Sequence, residues 1–124
     1  MSPAYLFVYG TLRRGSGNRF ARVLATQAQF ISQARMHGRL YNLGDYPAAV
    51  PSDVFADWVR GDVFRLNQAE ATLAALDEYE GDLFARVPQP VYLPSGMQLA
   101  WVYLYTGKLP LGRRIGSGVW APRN

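Results

Sequence analysis

The sequence predicts one mixed α/β domain of the α+β class, spanning residues 1–124, with a mostly antiparallel sheet that is strongly curved or closed. Three observations support this fold class. Most apolar segments are short and rich in aromatic or β-branched residues, and turns containing Gly or Pro separate them. Only two segments have the periodicity of a helix. No internal repeat, low-complexity tract or linker divides the 124 residues, which is the usual length of a single domain.

Six segments are predicted to be β-strands because apolar, aromatic or β-branched residues are frequent in them. They are residues 5–9, 36–43, 48–50, 59–66, 87–93 and 99–105. Turn residues 45–47 (DYP) precede the third segment, and residues 94–97 (PSGM) make the last two segments a hairpin. The tail from about residue 109 is rich in Gly, Pro and Arg, so irregular structure is expected there.

The first predicted helix follows a glycine-punctuated loop at residues 11–18. Asn18 is of a type favoured at helix N-caps, and the apolar residues after it recur at near-helical spacing. These residues are Phe20, Val23, Leu24 and Ile31.

The second predicted helix starts at Asn67, an N-cap residue that Glu70 follows three positions later, as in a capping box. At roughly 100° per residue, one stripe of side chains faces the interior. The stripe consists of Ala69, Leu73, Leu76 and Glu80. Glu78 falls on the opposite face, and Gly81 provides the C-terminal stop.

Glu80 is the candidate catalytic group, because a carboxylate that extends an apolar stripe is costly to bury unless it is paired or used. Asp77 lies well off the stripe. Two structural explanations stay open: the helix ends before Glu80, or Glu80 pairs with a nearby arginine such as Arg86. The functional alternative is a general base, because burial and the negative end of the helix dipole both raise the pKa of a carboxyl group.

The loop after the first strand is a second candidate site. A strand, a glycine loop and a helix in succession gather backbone amides around an anion or oxyanion. Gly10 and Gly15 have the spacing of a phosphate-binding loop, but Ser16 and Gly17 stand where that motif needs Lys and then Ser or Thr. A nucleotide site is therefore disfavoured, and the glycines either gather amides or only turn the chain.

Composition excludes several kinds of chemistry. The chain has no cysteine and a single histidine, His37, so disulfides, thiol nucleophiles, thiolate metal sites and poly-histidine metal sites are ruled out. His37 is expected to be structural. The net charge of +4 permits a nucleic-acid partner, but the arginines are scattered in short groups and no basic run of five residues occurs, so none is expected.

Location and membrane partners follow from hydropathy. No apolar run approaches the roughly 18 residues of a membrane-spanning helix. Residues 1–4 lack the basic and apolar regions of a signal peptide. We therefore expect a cytoplasmic protein without a membrane partner, and its oligomeric state stays open.

Five groups of residues match, in order, the sequence blocks of one known family. The first is YLFVYGTLRRG at residues 5–15. The others are GRLY with YPA (38–41 and 46–48), VRGDVF (59–64), LDEYE with LFAR (76–80 and 83–86), and AWVYLY (100–105). Through these blocks the chain resembles the gamma-glutamylcyclotransferase-like family, which includes gamma-glutamylamine cyclotransferases and many uncharacterised bacterial members.

The resemblance implies a small fold built on a β-barrel-like sheet, and a cofactor-independent reaction without a metal. A small gamma-glutamyl amide or amine is cyclised to 5-oxoproline, and the free amine or amino acid leaves. In the family the first loop holds the glutamyl part with backbone groups, and the matching positions are Tyr9, Gly10, Thr11 and Leu12. The family's proton-transferring glutamate falls on Glu80, which the helical spacing had already turned inward.

One position departs from the family pattern, because Phe84 stands where members often have a tyrosine. The candidates to supply that hydroxyl are Tyr41, Tyr46, Tyr79 and Tyr103. Arg86 is expected either to pair with Glu80 or to bind a substrate carboxylate. The departure leaves an alternative function, a non-catalytic module of the same fold that binds a small carboxylate- or amide-bearing ligand.

The remaining arginines and tryptophans carry weaker expectations. Arg13 and Arg14 are expected to form a solvated loop surface, with contact to an anionic substrate group as the alternative. The tryptophans are expected to pack in the core or at sheet edges, and Trp120 is also a candidate to cover the site or a neighbouring subunit.

Overall fold

Strands dominate the structure, as the sequence predicts. The computed structural model describes residues 4–10, 22, 24, 26–44, 46–110 and 112–120. Seven strands and the helix α1 follow one another in these residues. In chain order they are β1 (Tyr5–Val8), β2 (Ala28–Asn42), β3 (Pro47–Pro51), β4 (Trp58–Leu66), α1 (Ala69–Glu80), β5 (Phe84–Leu93), β6 (Gly96–Tyr105) and β7 (Arg114–Ile115). The predicted α+β class is confirmed.

The sheet closes into a five-stranded barrel. The strands lie in the order β2-β4-β1-β6-β5, and β5 pairs back to β2 where Tyr92 stands opposite Arg35. The pairs in this ring are antiparallel except for β1 with β6. The strongly curved or closed sheet expected from the sequence is therefore confirmed.

The long strand β2 takes part in two layers of pairing. Residues 28–37 pair with β4 in the barrel, and residues 38–42 pair with β3. The short strand β7 pairs with β2 at Leu40 and Tyr41. Because β2 serves both layers, it has 15 residues and begins well before the strand predicted at 36–43.

Side-chain alternation divides the strands between two cores. In β1 and just beyond it, Phe7 and Tyr9 belong to the cluster inside the barrel, and Leu6 and Val8 belong to the cluster beneath α1. Successive strand residues point to opposite faces, so a strand covered on both faces is apolar throughout. This explains why residues 5–9 lack a polar alternation.

Helix α1 is held against the barrel by its apolar stripe. Leu73 and Leu76 are buried in the same cluster as Phe64 of β4 and Tyr103 of β6. Burial of each leucine contributes about 1.5–3 kcal/mol to folding. No helix among the residues that the structure describes has the length and hydropathy of a membrane span.

The region of the first predicted helix is only partly helical. Residues 22, 24, 26 and 27 are helical and Leu24 is buried, but Ile31 lies in β2 rather than on a helix. The pairing of β2 with β4 shifts register between Phe30 and Ser32, as at a β-bulge. Ile31 has no partner in this register and its side chain is 38% exposed, so it does not belong to a buried helical stripe. Phe20 and Val23 lie outside the described residues.

A buried carboxylate fastens the loop before β4 to the sheet. Asp57 is 7% exposed and accepts hydrogen bonds from Arg39 at 2.6 Å, Arg114 at 2.7 Å and Ser52 at 2.8 Å. These bonds to Arg39, Ser52 and Arg114 hold the pKa of the Asp57 carboxyl well below its usual range. Asp57 thus joins β2, the tail strand β7 and the 52–57 loop.

Replacing Gly61 with Ala tests barrel closure. A Cβ at Gly61 would lie 2.7 Å from the Phe7 ring and would also meet the carbonyl oxygen of Val8. Such overpacking costs about 1–3 kcal/mol. We expect Gly61→Ala to lower the free energy of unfolding by at least this amount in urea titrations. Gly116→Ala is the matched control, because open space surrounds Gly116; equal losses in both variants would contradict the packing described.

Replacing Asp57 with Asn tests the carboxylate junction. Because the pKa of Asp57 is depressed in the folded state, its stabilisation is present above the unfolded value of about 3.9 and is lost as pH falls toward the folded value. We expect Asp57→Asn to lower the Tm by several degrees at pH 7, and the gap from wild type to narrow below about pH 4. The control is Asp53→Asn, an exposed change in the same loop; a gap that stays constant with pH would show that the charge of Asp57 is not responsible.

Candidate active site

Helix α1 turns Glu80 toward the barrel, as the stripe predicts. Leu73 and Leu76 are buried, Glu80 is half-buried and Glu78 is exposed. Gly81 is the C-cap, its positive φ of +75° is one that glycine adopts readily, and its N–H donates to the carbonyl oxygen of Asp77, so the predicted stop is confirmed. Glu80 is therefore the last residue of a docked helix, and the possibility that the helix frays before it is excluded.

The predicted start of this helix is wrong by one residue. The N-cap is Gln68, and among the described residues its side chain makes no capping hydrogen bond. The backbone N–H of Asn67 donates to the carbonyl oxygen of Gln27 at 3.3 Å. Asn67 is thus tied to the chain preceding β2, and the helix begins after it.

A cavity of about 580 Å³ lies at the C-terminal end of α1. Its walls come from the end of β1, the turn before β3, the end of α1 with the turn that follows, and β6. The lining residues are Phe7, Val8, Tyr9, Gly10, Tyr46, Pro47, Tyr79, Glu80, Gly81, Asp82, Leu83, Phe84 and Tyr103. The structure thus brings Glu80 together with Tyr9 and Gly10, three of the residues that the sequence analysis selected.

Gly10 brings the main chain close to the turn before β3. A Cβ at this position would lie 2.8 Å from Cγ of Pro47, so a larger residue would push the two segments apart. Gly10 and Pro47 both line the cavity, and their close approach fixes this part of its wall.

Burial sets the charge state of Glu80. It raises the pKa of the Glu80 carboxyl to about 7. Within the part of the chain that the structure describes, no hydrogen bond or ion pair engages this carboxylate. Its charge also contributes to the raised pKa values of Tyr9 and Tyr103, which lie near it. A carboxyl group with this pKa can both accept and donate a proton near neutral pH.

The two buried tyrosines frame the site with fixed hydroxyl groups. The Tyr9 hydroxyl donates to the carbonyl oxygen of Tyr103 at 2.5 Å and accepts from the N–H of Ala49 at 3.3 Å. The Tyr103 hydroxyl donates to Oδ1 of Asp77 at 2.7 Å. These bonds connect β1, β3, β6 and α1 around the cavity, so its walls are held by hydrogen bonds as well as by packing.

Arg86 pairs with Asp77 and not with Glu80. Its Nε and Nη2 donate to the two carboxylate oxygens of Asp77 at 2.7 and 3.1 Å, a bidentate pair. Its guanidinium lies 4.3 Å from the ring centroid of Trp101. The expected pair with Glu80 is therefore wrong, and Arg86 is not among the residues that line the cavity. Its contact with a substrate carboxylate stays a prediction.

Asp77 is the site-supporting residue that the sequence analysis missed. Asp77 lies off the apolar stripe, and its side chain is 43% exposed. Even so, one carboxylate holds Arg86 of β5 and Tyr103 of β6 against the helix. The available signal was the spacing, because Asp77 precedes Glu80 by about one helical turn and lies beside the same strands.

Phe84 forms an aromatic wall with two tyrosines. Its ring centroid lies 6.0 Å from that of Tyr46 and 5.5 Å from that of Tyr105. Tyr46, Tyr79 and Tyr103 line the cavity, whereas Tyr41 does not. Of these candidate tyrosines, Tyr46 is the one whose ring is in contact with Phe84 in the cavity wall.

Several residues selected from the sequence lie elsewhere. Thr11 and Leu12, the other two loop positions, are outside the described residues, as are Arg13 and Arg14. Trp120 packs against the barrel interior and does not line the cavity.

Comparison with known proteins agrees with this architecture. Residues 6–122 match the family of gamma-glutamyl cyclotransferase, AIG2-like proteins. The gamma-glutamylcyclotransferase family protein YtfP of Escherichia coli (strain K12) is 37% identical over 122 residues, which are 96% of this chain and 97% of YtfP.

Solved structures share the fold. YkqA from Bacillus subtilis has a TM-score of 0.75 at 28% identity, and the match covers 95% of this chain and 39% of YkqA. An AIG2-like protein from Mus musculus has a TM-score of 0.79 at 21% identity, covering 98% of this chain and 90% of that protein. The second likeness shows a common fold.

The family match includes both walls of the cavity, since Tyr9, Gly10 and Glu80 all lie within residues 6–122. The resemblance noted in the sequence is thereby confirmed over almost the whole chain. The chain belongs to the gamma-glutamyl cyclotransferase, AIG2-like family.

Proposed function

We propose that this protein is a gamma-glutamylcyclotransferase that converts a small gamma-glutamyl amide or amine to 5-oxoproline and a free amine, with Glu80 as general acid and base. One observation carries the proposal. The half-buried carboxylate of Glu80 has a pKa raised to about 7 and lines a cavity of about 580 Å³ with Tyr9 and Gly10. Family membership supports the type of reaction.

The reaction depends chiefly on positioning, because nucleophile and electrophile belong to one substrate. The α-amine attacks the γ-carbonyl carbon, and a five-membered ring closes. A site that holds the glutamyl part with both groups in contact lowers the barrier by several kcal/mol. The backbone at Gly10, packed against Pro47, is suited to hold the glutamyl part in one orientation.

Glu80 moves the proton at both stages. Its carboxylate takes a proton from the substrate α-ammonium, and the free amine then attacks the γ-carbonyl carbon. The new C–N bond forms as the carbonyl oxygen becomes an oxyanion, and we assign the backbone N–H of Gly10, in the cavity wall, to stabilise it. Protonated Glu80 returns the proton to the departing amine nitrogen as the original amide C–N bond breaks. The new ring nitrogen still carries two protons, and it gives one of them to the regenerated Glu80 carboxylate and from there to solvent, which leaves the neutral lactam.

The pKa of Glu80 suits both transfers. At a pKa of about 7, comparable amounts of carboxylate and carboxylic acid are present near neutral pH. A well-placed general acid and base contributes roughly 10²- to 10⁴-fold, or about 3–5 kcal/mol of the barrier. Tyr46 and Phe84 form an aromatic wall of the cavity, and we assign this wall to contact the departing amine.

Replacing Glu80 with Gln tests this assignment. We expect 5-oxoproline release from a panel of gamma-glutamyl amino acids and amines to fall by roughly 10²- to 10⁴-fold, because the amide can neither accept nor return the proton. Glu78→Gln is the matched control on the exposed face of the same helix, and it should keep wild-type activity.

Stability measurements separate loss of chemistry from loss of fold. Because the pKa of Glu80 is raised in the folded state, its favourable contribution is present below the unfolded value of about 4.3 and is lost as pH rises through about 7. Glu80→Gln should therefore keep a Tm at pH 8 equal to or above that of wild type. Full-rate turnover by this variant would contradict the mechanism. A gamma-glutamyl compound that raises the wild-type Tm without being consumed would instead indicate the binding module allowed by Phe84.

A further inference from the structure

A second cavity lies apart from the proposed active site. Its volume is about 420 Å³, and it shares no lining residue with the first cavity. The polar side chains in its wall are Gln33, Arg35, Arg60 and Tyr92, and Val119 of the tail forms another part. We call it the arginine cleft.

Strand pairing places the two arginines side by side. Arg35 of β2 stands directly opposite Arg60 of β4, and Tyr92 of β5 stands opposite Arg35. Opposite residues of antiparallel strands project from the same face, with Cβ atoms about 4.5–5.5 Å apart. The three side chains thus form one row across three strands of the barrel.

Within the described part of the chain, no carboxylate compensates the like charges in this row. Both arginines are exposed, and the salt bridges among the described residues involve Arg39, Arg86 and Arg114 but neither of these two. Like charges directly opposite each other destabilise a strand pair. An anion between the two guanidinium groups would remove that repulsion.

The acidic residue in the neighbouring row of this face does not pair with either arginine. Asp62 stands opposite Gln33 in the next row, and it is 4% exposed. It forms no ion pair with Arg35 or Arg60, although all three residues are described. Among the described residues, no carboxylate therefore forms an ion pair with either arginine.

An aromatic stack fixes the position of Arg35. Its Cζ lies 4.2 Å from the ring centroid of Trp58, and the His37 ring stacks on Trp58 at 3.9 Å. Two groups this close to one centroid occupy opposite faces of the ring, so Trp58 is held between them. The cation–π contact orders the guanidinium before any ligand arrives.

The tail completes a preformed wall on the other side. The N–H of Arg60 donates to the carbonyl oxygen of Gly118 at 2.8 Å. Gly118 has a φ of +69°, and a Cβ there would collide with the carbonyl group of Trp58. This close approach fixes Val119 beside β4 at the edge of the cleft.

We infer that the arginine cleft binds a small oxyanion, a phosphate or carboxylate group, between Arg35 and Arg60. The two guanidinium groups supply charge-assisted donors, and Gln33 and Tyr92, whose side chains carry further donors, line the same cleft. The cleft volume of about 420 Å³ exceeds that of a phosphate ion, so a small molecule carrying the group also fits. This site is independent of the chemistry at Glu80.

Calorimetric titration with inorganic phosphate and with succinate tests the cleft, with sodium chloride at matched ionic strength as the screening control. We expect at least one of the two anions to bind wild type and to raise its Tm above the chloride value. The two anions separate a phosphate site from a carboxylate site. Arg35→Gln and Arg60→Gln should each weaken binding at least tenfold, whereas Arg65→Gln, an exposed change in the same strand, should not.

Two further readings decide the outcome. Glu80→Gln should bind the anion as tightly as wild type, which keeps this site distinct from the proposed active site. The unliganded Tm of each variant, measured in the same experiment, shows that it is folded. Failure of both anions to bind wild type, or equal binding by Arg35→Gln, Arg60→Gln and Arg65→Gln, would overturn the inference.

Discussion

Closure of the barrel through strand β1 is the constraint on which the site depends. This strand has four residues, pairs antiparallel with β4 and parallel with β6, and is covered on both faces. Phe7 packs in the cluster inside the barrel, and Leu6 and Val8 pack beneath α1. Because the strand is fixed on both faces and both edges, the chain that leaves it at Tyr9 and Gly10 enters the cavity at a defined position.

Docking of α1 on the same strand explains the unusual carboxylate. Leu73 and Leu76 are buried between helix and barrel, and their burial offsets the cost of bringing Glu80 into a partly desolvated position. Because burial disfavours the charged carboxylate, the pKa of Glu80 is raised to about 7. Packing of the helix and acid–base chemistry at its end thus have one physical origin, and Asp77 reinforces the docking through Arg86 and Tyr103.

Local pattern predicted the parts of the structure that depend on periodicity and turn chemistry. The stripe from Ala69 to Glu80, the stop at Gly81 and the doubly covered strand at residues 5–9 all follow from spacing and residue type. Together with the family resemblance, these features were enough to select Glu80, Tyr9 and Gly10.

Contacts between segments that are far apart in the chain could not be predicted from the sequence. Asp57 binds Arg39 and Arg114, which lie 18 and 57 residues away, and no local pattern selects those partners. For the same reason the sequence left open whether Arg86 pairs with Glu80 or binds substrate, and its bidentate pair with Asp77 was not predicted. Ile31 was misplaced because β2 begins at Ala28, and the pairing with β4 that extends the strand this far is a contact between distant segments. Ion pairs and β-bulges depend on which segments the closed sheet brings together, so they can be identified only from the three-dimensional structure.

A carbon-detected NMR titration of the Glu80 side-chain carboxyl group tests the central claim most directly. The Glu80→Gln spectrum assigns the resonance, and pH is varied across the range in which the protein stays folded. The account predicts a midpoint near 7, because burial at the end of α1 disfavours the carboxylate. A midpoint near the ordinary glutamate value of about 4.3 would show that the carboxylate is solvated, and would contradict its role as general acid and base.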